Sequence, residues 1–209
     1  VGQFLPIDPD VGPAPLTGGP RAAQRQLRTF VRERLDDYAR DRNHPDLEAT
    51  SGLSAFLHFG HLGPHQILDA VAAAEGWSTD RLPARATGAR EGWWKMSASA
   101  EAFLDQLLVW REMGYGAAAL EEDHGTYGSL PAWARETLEK HSEDPRPSLY
   151  TLEQLEQAQT DDPLWNAAQR QLRVQGRIQN YLRMLWGKRI LEWTPHPRAA
   201  LEVMTALND

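Results

Sequence analysis

The sequence predicts an all-α protein, and three observations carry that prediction. Apolar side chains recur at three- and four-residue steps along most of the chain, which is the spacing of amphipathic helices. Several of these segments begin with proline, serine or threonine, the residues that helix N-termini prefer. No stretch of strand length alternates apolar with polar residues. A multi-helical fold follows, without an internal repeat of fixed period.

The chain opens on a segment with little periodicity. Val1–Pro20 contains five prolines and four glycines, a composition typical of extended linkers. We therefore assign residues 1–16 to an extended lead-in and residues 17–209 to a single helical domain. At 209 residues the chain is long enough to bury one sizeable core.

The first predicted helix covers Arg21–Arg40, and Asn43–Pro45 ends it. Five side chains form its apolar face: Leu27, Phe30, Val31, Leu35 and Tyr38. The same spacing predicts seven further helices. They cover Pro64–Glu75, Ala98–Gly114, Pro131–His141, Thr151–Ala158, Pro163–Leu172, Val174–Trp193 and Pro197–Leu207.

Composition excludes several classes of protein. The chain has no cysteine, which excludes disulfides, thiol catalysis and cysteine-ligated zinc. No run of about 18 apolar residues is present, and the first ten residues lack the basic-then-apolar order of a signal peptide, so we expect a cytoplasmic protein. The eight tryptophans are unusual, because such side chains fill cores and interfaces or stack on bases and flat cofactors.

Charge is distributed unevenly. The net charge is −7, but residues 101–162 hold 14 acidic and 4 basic side chains. Residues 166–198 are the reverse, with seven cations and one acid: Arg170, Arg173, Arg177, Arg183, Lys188, Arg189 and Arg198 against Glu192. A basic face of this kind indicates phosphate binding. A solvated helix face is the alternative.

Residues 50–54, Thr-Ser-Gly-Leu-Ser, place three hydroxyls and a glycine before an apolar turn. Side-chain oxygens and free backbone amides at such a helix start are able to bind an anion. An ordinary helix N-cap is the alternative. Nearby, His58, His61 and His65 are separated by glycines and a proline, so no metal site is expected there.

Four segments, in the right order, resemble the DNA photolyase and cryptochrome family over residues 17–209. They are RTFVRERLDDYARDRNHP, EATSGLSAFLHFGHLGP, AEAFLDQLLVWREMGY and DPLWNAAQRQLRVQGRIQNYLRMLWGKRILEW. The last is the strongest match and is similar to class II cyclobutane pyrimidine dimer photolyases. The resemblance implies the helical FAD-binding domain, and a protein that extends at both ends, with an antenna domain before this region and a flavin-contacting loop after it. Any antenna chromophore would bind that absent domain.

The resemblance implies a set of FAD-binding residues. Residues 50–54 match the segment that holds the FAD diphosphate, and Arg111 and Arg183 match flavin-pocket arginines, for which surface ion pairing is the alternative. The implied FAD ligands are Tyr38, Thr50, Ser51, Gly52, Leu53, Ser54, Arg111, Asn180, Arg183 and Asn208. Asn208 matches an asparagine that faces flavin N5 in class II enzymes; a polar residue at a helix end is the plainer interpretation.

The resemblance also implies an electron relay. Trp186 and Trp193 lie seven residues apart on one predicted helix face, and Trp165 lies on the helix before it. By resemblance Trp186 is nearest the flavin, Trp165 is next and Trp193 is the exit. On spacing alone, three core tryptophans are the simpler interpretation.

Substrate recognition follows by the same route. Trp110 matches the indole that stacks on a flipped-out dimer, and Met184 matches a methionine that contacts its bases; core packing is the alternative for both. Arg173 and Arg177 are expected on the DNA face. Gln106 stands where the family has a glutamate that bonds the dimer, and an amide cannot supply a proton. Gln179 stands where many relatives have histidine, and Asn180 where many have glycine.

The implied function is light-driven splitting of pyrimidine dimers in DNA by an electron from reduced FAD, in a monomeric carbon–carbon lyase. A cryptochrome-like photosensor or a DNA-binding module without repair is the main alternative, with Gln106 marking the loss of repair. An all-α interaction domain with purely structural tryptophans is the third.

Overall fold

The computed structural model describes residues 12–85, 88–89 and 91–208. Within that part of the chain there is no strand, so the all-α prediction is confirmed. The helices are α1 (Pro20–Glu33), α2 (Tyr38–Asp41), α3 (Ser54–His58), α4 (Pro64–Ala74), α5 (Ala98–Leu104), α6 (Arg111–Leu120), α7 (Ala132–Lys140), α8 (Leu152–Glu156), α9 (Pro163–Gln175), α10 (Asn180–Trp193) and α11 (Pro197–Asn208). The described residues also form two short 3₁₀ turns, Thr79–Arg81 and Tyr127–Ser129, and a π-helical segment, Asp105–Trp110.

The first predicted helix is divided in two. α1 ends at Glu33, and the Leu35 amide donates to the Phe30 carbonyl at 3.0 Å, which closes a wider turn before α2 begins. Leu35 and Tyr38 remain buried after the break. The apolar pattern therefore identified the correct core residues, although the backbone does not stay helical between them.

A second boundary was also wrong, because Val174–Trp193 is not one helix. α9 continues to Gln175, and Gly176 ends it in the left-handed conformation with φ of 65°. α10 begins only at Asn180, and the side chain of Gln179 caps it by accepting from the Tyr181 and Leu182 amides. A glycine in the left-handed region is the usual helix stop.

The chain divides into two compact units, which are described separately. The first, the N-terminal unit, is Leu16–Glu122. Its core joins α1, α2, α3, α4 and α5 through fourteen buried side chains: Ala23, Leu27, Phe30, Leu35, Tyr38, Leu53, Phe56, Leu62, Ile67, Val71, Ala100, Phe103, Leu104 and Leu107.

The second, the C-terminal unit, runs from Asp123 to the end of the described chain and includes residues 12–15. Its core joins α8, α9, α10 and α11, and three of its six members are tryptophans: Leu155, Trp165, Trp186, Ile190, Trp193 and Ala200. The described helices include none that is long and apolar enough to cross a membrane.

Candidate functional site

The backbone of residues 50–54 is fixed by the N-terminal unit. The Gln26 side-chain amide donates to the Ser51 carbonyl at 2.7 Å. Gly52 adopts φ of +66°, and a Cβ at that position would lie 2.8 Å from Gln26 Nε2. The positive φ favours glycine here, and any larger residue would also make the Gln26 side-chain amide shift.

The hydroxyls of this segment do not form the usual helix cap. α3 has Leu53 at its N-cap position and no side-chain cap. Ser51 Oγ accepts from the Leu53 amide at 3.3 Å, whereas Thr50 and Ser54 have no side-chain hydrogen bond to the described residues. The Leu53 side chain is buried in the core, so its backbone is the part able to meet a ligand.

We expect Gly52→Ala to destabilise the protein by about 1–3 kcal/mol, because alanine is strained at positive φ and meets Gln26. Gly116→Ala is the matched control, since a Cβ there meets no atom within 4 Å and alanine favours the helix. Urea unfolding of both variants measures the difference. Equal stability of the two variants would show that residue 52 is under no backbone constraint.

Tyr38, a predicted FAD contact, lies mainly in the core. Its ring is 7% exposed and packs edge-on against Phe30 and Phe103, with ring centroids 5.8 and 5.4 Å away. Burial raises the pKa of the Tyr38 phenol; nearby Arg42 opposes that shift and Asp105 adds to it. The phenol is thus neutral near pH 7, and its ring contributes chiefly to packing.

The π-helical segment carries the predicted dimer-binding residues of the N-terminal unit. Trp110 is 54% exposed, so core packing does not account for it. Its indole Nε1 donates to Asp105 Oδ2 at 2.9 Å, and Gln106 Nε2 donates to the same oxygen at 3.2 Å. Sequence reasoning did not identify Asp105. Arg111, beside Trp110, forms an ion pair with Glu112.

The three tryptophans predicted as a relay come together in the C-terminal unit. Trp165 and Trp186 stack in parallel, with centroids 6.3 Å apart and an interplanar angle of 2°. Trp165 also meets Trp193 edge-on at 5.4 Å. Trp165 is therefore the middle ring, which is the order that the resemblance implies.

Neutral groups hold the indoles in place. Trp186 Nε1 donates to Oε1 of buried Gln169 at 2.8 Å, and Trp165 Nε1 donates to the Trp186 carbonyl at 3.2 Å. Because both indole N–H groups have an acceptor, Trp165 and Trp186 are buried without an unsatisfied donor. The same contacts fix both the spacing and the angle of the rings.

The predicted exit residue is not at the surface. Trp193 is 6% exposed, close to the 3% and 5% of Trp165 and Trp186. Tyr150 packs edge-on against Trp193 at 5.3 Å, and its hydroxyl donates to the exposed Asp161 carboxylate at 2.9 Å. The aromatic run therefore continues by one ring toward solvent. Tyr150 lies in the loop that follows Pro145 and Pro147, directly before the N-cap residue of α8. No apolar periodicity in the sequence marks it.

Most cations of the basic stretch are exposed and have no acidic partner in the part of the chain that the structure describes. Arg173 and Arg177 are exposed and bond only glutamine side chains among the described residues, Gln157 and Gln175. Arg183 is exposed and has no ion pair within the described part of the chain. The exceptions are Arg189, paired with Asp162 and Glu192, and Arg198, which lies over the Tyr127 ring.

Three other predicted site residues of the C-terminal unit are exposed. They are Asn180 at the start of α10, Met184 within it and Asn208 at the end of α11. Core packing does not account for Met184, which is 61% exposed.

In the N-terminal unit, His61 accepts from the Gly19 amide through Nδ1 at 3.2 Å, which gives this histidine a structural contact.

Comparison with known proteins gives consistent matches. The chain is 36% identical to the deoxyribodipyrimidine photo-lyase of Methanothermobacter thermautotrophicus over 200 residues, 96% of this chain and 40% of that protein. It is 36% identical to the enzyme of the same name from Potorous tridactylus over 191 residues, and 38% identical to that of Oryza sativa subsp. japonica over 181. These alignments cover 91% and 86% of this chain and 32% of each relative. No family model matches the chain.

A solved structure has the same fold. The crystal structure of a class III photolyase from Agrobacterium tumefaciens matches with a TM-score of 0.58 and 19% sequence identity, over 92% of this chain and 38% of that one. The chain thus spans about a third to two fifths of the length of the curated relatives described above. The class II assignment stays a prediction.

Proposed function

The chain belongs to the DNA photolyase family, and from that premise we propose that it serves light-driven splitting of cyclobutane pyrimidine dimers in DNA. The observation that supports this most strongly is the run of three buried indoles, in which Trp165 contacts both Trp186 and Trp193. Structural tryptophans need only fill space, whereas an electron relay needs a continuous chain of close rings.

Bound, reduced FAD would supply the light-excited electron that opens the dimer. The proposed diphosphate ligands are residues 50–54, where the Thr50 and Ser54 hydroxyls have no partner among the described residues and suit phosphate oxygens. Arg111, Asn180, Arg183 and Asn208 are further proposed ligands on the strength of the family resemblance.

The relay would return electrons to oxidised cofactor. An indole that loses an electron becomes far more acidic at Nε1, and the hole stays on that ring if a base takes the proton. The partners of Trp165 and Trp186 are a peptide carbonyl and an amide oxygen, which are poor bases. The hole is therefore free to move to Trp193, and from there to Tyr150, where the Asp161 carboxylate is placed to accept the phenol proton.

DNA binding would use the exposed groups. Trp110 and Met184 offer the apolar contacts that a flipped-out dimer needs, and Arg173 and Arg177 would bind phosphates. Gln106 would bond the dimer through its amide.

Titration with FAD tests the proposal, with the protein expected to gain the absorption bands of bound flavin. Ser51→Ala and Ser54→Ala should each weaken FAD binding about fivefold, which is the effect of one lost hydrogen bond. Ser78→Ala, on an exposed loop of the same unit, is the control and should bind like the parent. Absence of flavin binding by the parent would contradict the proposed function. If both serine variants bind FAD as tightly as the parent, these hydroxyls do not contact the cofactor.

A further inference from the structure

One carboxylate organises the predicted dimer-binding side chains of the N-terminal unit. Asp105 Oδ2 accepts from Trp110 Nε1 at 2.9 Å and from Gln106 Nε2 at 3.2 Å. Asp105 and Gln106 are each partly buried, while Trp110 is exposed. The two residues expected to meet the dimer are therefore tied to a third that the sequence did not single out.

This arrangement depends on the π-helical segment. In an α-helix of 3.6 residues per turn, residues five apart point about 140° away from each other. The wider turn of Asp105–Trp110 brings its first and last residues toward one face. The carboxylate can then reach the indole N–H, which a regular helix would direct elsewhere.

The chemistry of the carboxylate fixes the direction of the Gln106 amide. An ionised carboxylate only accepts hydrogen bonds, so the NH₂ end of Gln106 must face Asp105. The carbonyl oxygen Oε1 is then turned away from Asp105, and it has no partner among the described residues. Gln106 thus offers a ligand an acceptor.

We propose that Asp105 is a positioning residue that holds Trp110 and Gln106 so that the site prefers a pyrimidine ring carrying a ring N–H. The proposal rests on the proposed function and adds a specificity to it. Thymine and uracil rings carry that donor at N3, whereas a ring with N3 blocked or unprotonated cannot donate to Gln106 Oε1. A thymine dimer would therefore be preferred over one that lacks the N–H.

The first test measures the contact without any ligand. In a nitrogen–proton correlation spectrum, the indole signal missing from Trp110→Phe identifies Trp110 Nε1. Asp105→Asn, which keeps the shape of the side chain, should move that signal, because a neutral acceptor replaces the carboxylate. Asp69→Asn, at an exposed position of α4 in the same unit, makes the same charge change and should leave the signal in place.

The second test measures specificity with two duplexes, one with a thymine dimer and one with the same dimer methylated at N3. The parent should prefer the first by about fivefold to tenfold, the effect of one hydrogen bond. Asp105→Asn should reduce that ratio to about twofold or less. Asparagine offers both a donor and an acceptor, so the Gln106 side-chain amide is then able to rotate by 180°. Asp69→Asn should keep the parent's ratio.

A double-mutant cycle separates positioning from a structural effect. Gln106→Leu removes the acceptor and should abolish the preference by itself, after which Asp105→Asn should change the ratio no further. A parent that does not prefer dimer-containing over undamaged duplex would overturn the proposed function and this inference together. A parent that binds the dimer selectively while Asp105→Asn keeps its N3 discrimination and its indole signal would overturn the role of Asp105 alone.

Discussion

Replacing Trp165 by phenylalanine is expected to nearly abolish light-driven reduction of FAD by an external donor. Trp165 is the middle ring and contacts both Trp186 and Trp193, so its loss interrupts the relay at its centre. Phenylalanine keeps an apolar ring but is far harder to oxidise than tryptophan. Flavin absorbance during illumination, with a thiol donor present, measures the rate.

The controls for Trp165→Phe distinguish the relay from a general loss of tryptophan. Trp133→Phe changes an exposed ring of the same unit and should photoreduce like the parent. Trp186→Phe should match Trp165→Phe, and Trp193→Phe should slow the process less. The core change costs about 1–3 kcal/mol, so folding of each variant is checked by thermal unfolding. Parental rates in all the core variants would make the tryptophans structural residues only.

Reversing the charge of Arg173 and Arg177 together is expected to weaken binding of dimer-containing duplex on the order of 10- to 100-fold at low salt. Each arginine that neutralises a phosphate releases counterions, so loss of two contacts should lower the slope of log affinity against log salt by about 1.8. Both side chains are exposed and pair with no carboxylate among the described residues. Fluorescence anisotropy across a salt series gives both quantities.

Arg135→Glu is the matched control for that experiment. Arg135 is exposed on α7 in the same unit, but it lies in the acidic stretch of the chain. Its reversal changes the net charge in the same direction and should leave the salt slope unchanged. If Arg135→Glu and the double variant lose DNA affinity equally, the effect is one of net charge alone. If the double variant binds like the parent, the basic stretch is a solvated helix face.

Much of the fold could be predicted because helix periodicity directly reflects burial. Leu27, Phe30, Leu35 and Tyr38 were identified as one face and all lie in the core. The breaks could not be predicted, since they depend on backbone hydrogen bonds rather than on apolar spacing. The turn after Glu33 closes through the Phe30 carbonyl and carries no glycine or proline.

The candidate site divides in the same way. The family resemblance implied the middle position of Trp165, which the ring contacts match. Asp105 and Tyr150 were not found, because each acts through neighbours brought close by geometry that the sequence does not display. Asp105 needs a π-helical turn to reach Trp110, and Tyr150 reaches Trp193 from a separate segment of the chain.

Light-dependent loss of dimers tests the central claim most directly. The protein, loaded with FAD and chemically reduced, is mixed with an oligonucleotide that carries one thymine dimer, and one half of the sample is illuminated while the other stays dark. We predict that the dimer disappears in the illuminated half alone, and that Trp165→Phe performs as well as the parent because reduced cofactor needs no relay. Unchanged dimer in both halves, although FAD and DNA are bound, would contradict a photolyase function for this protein.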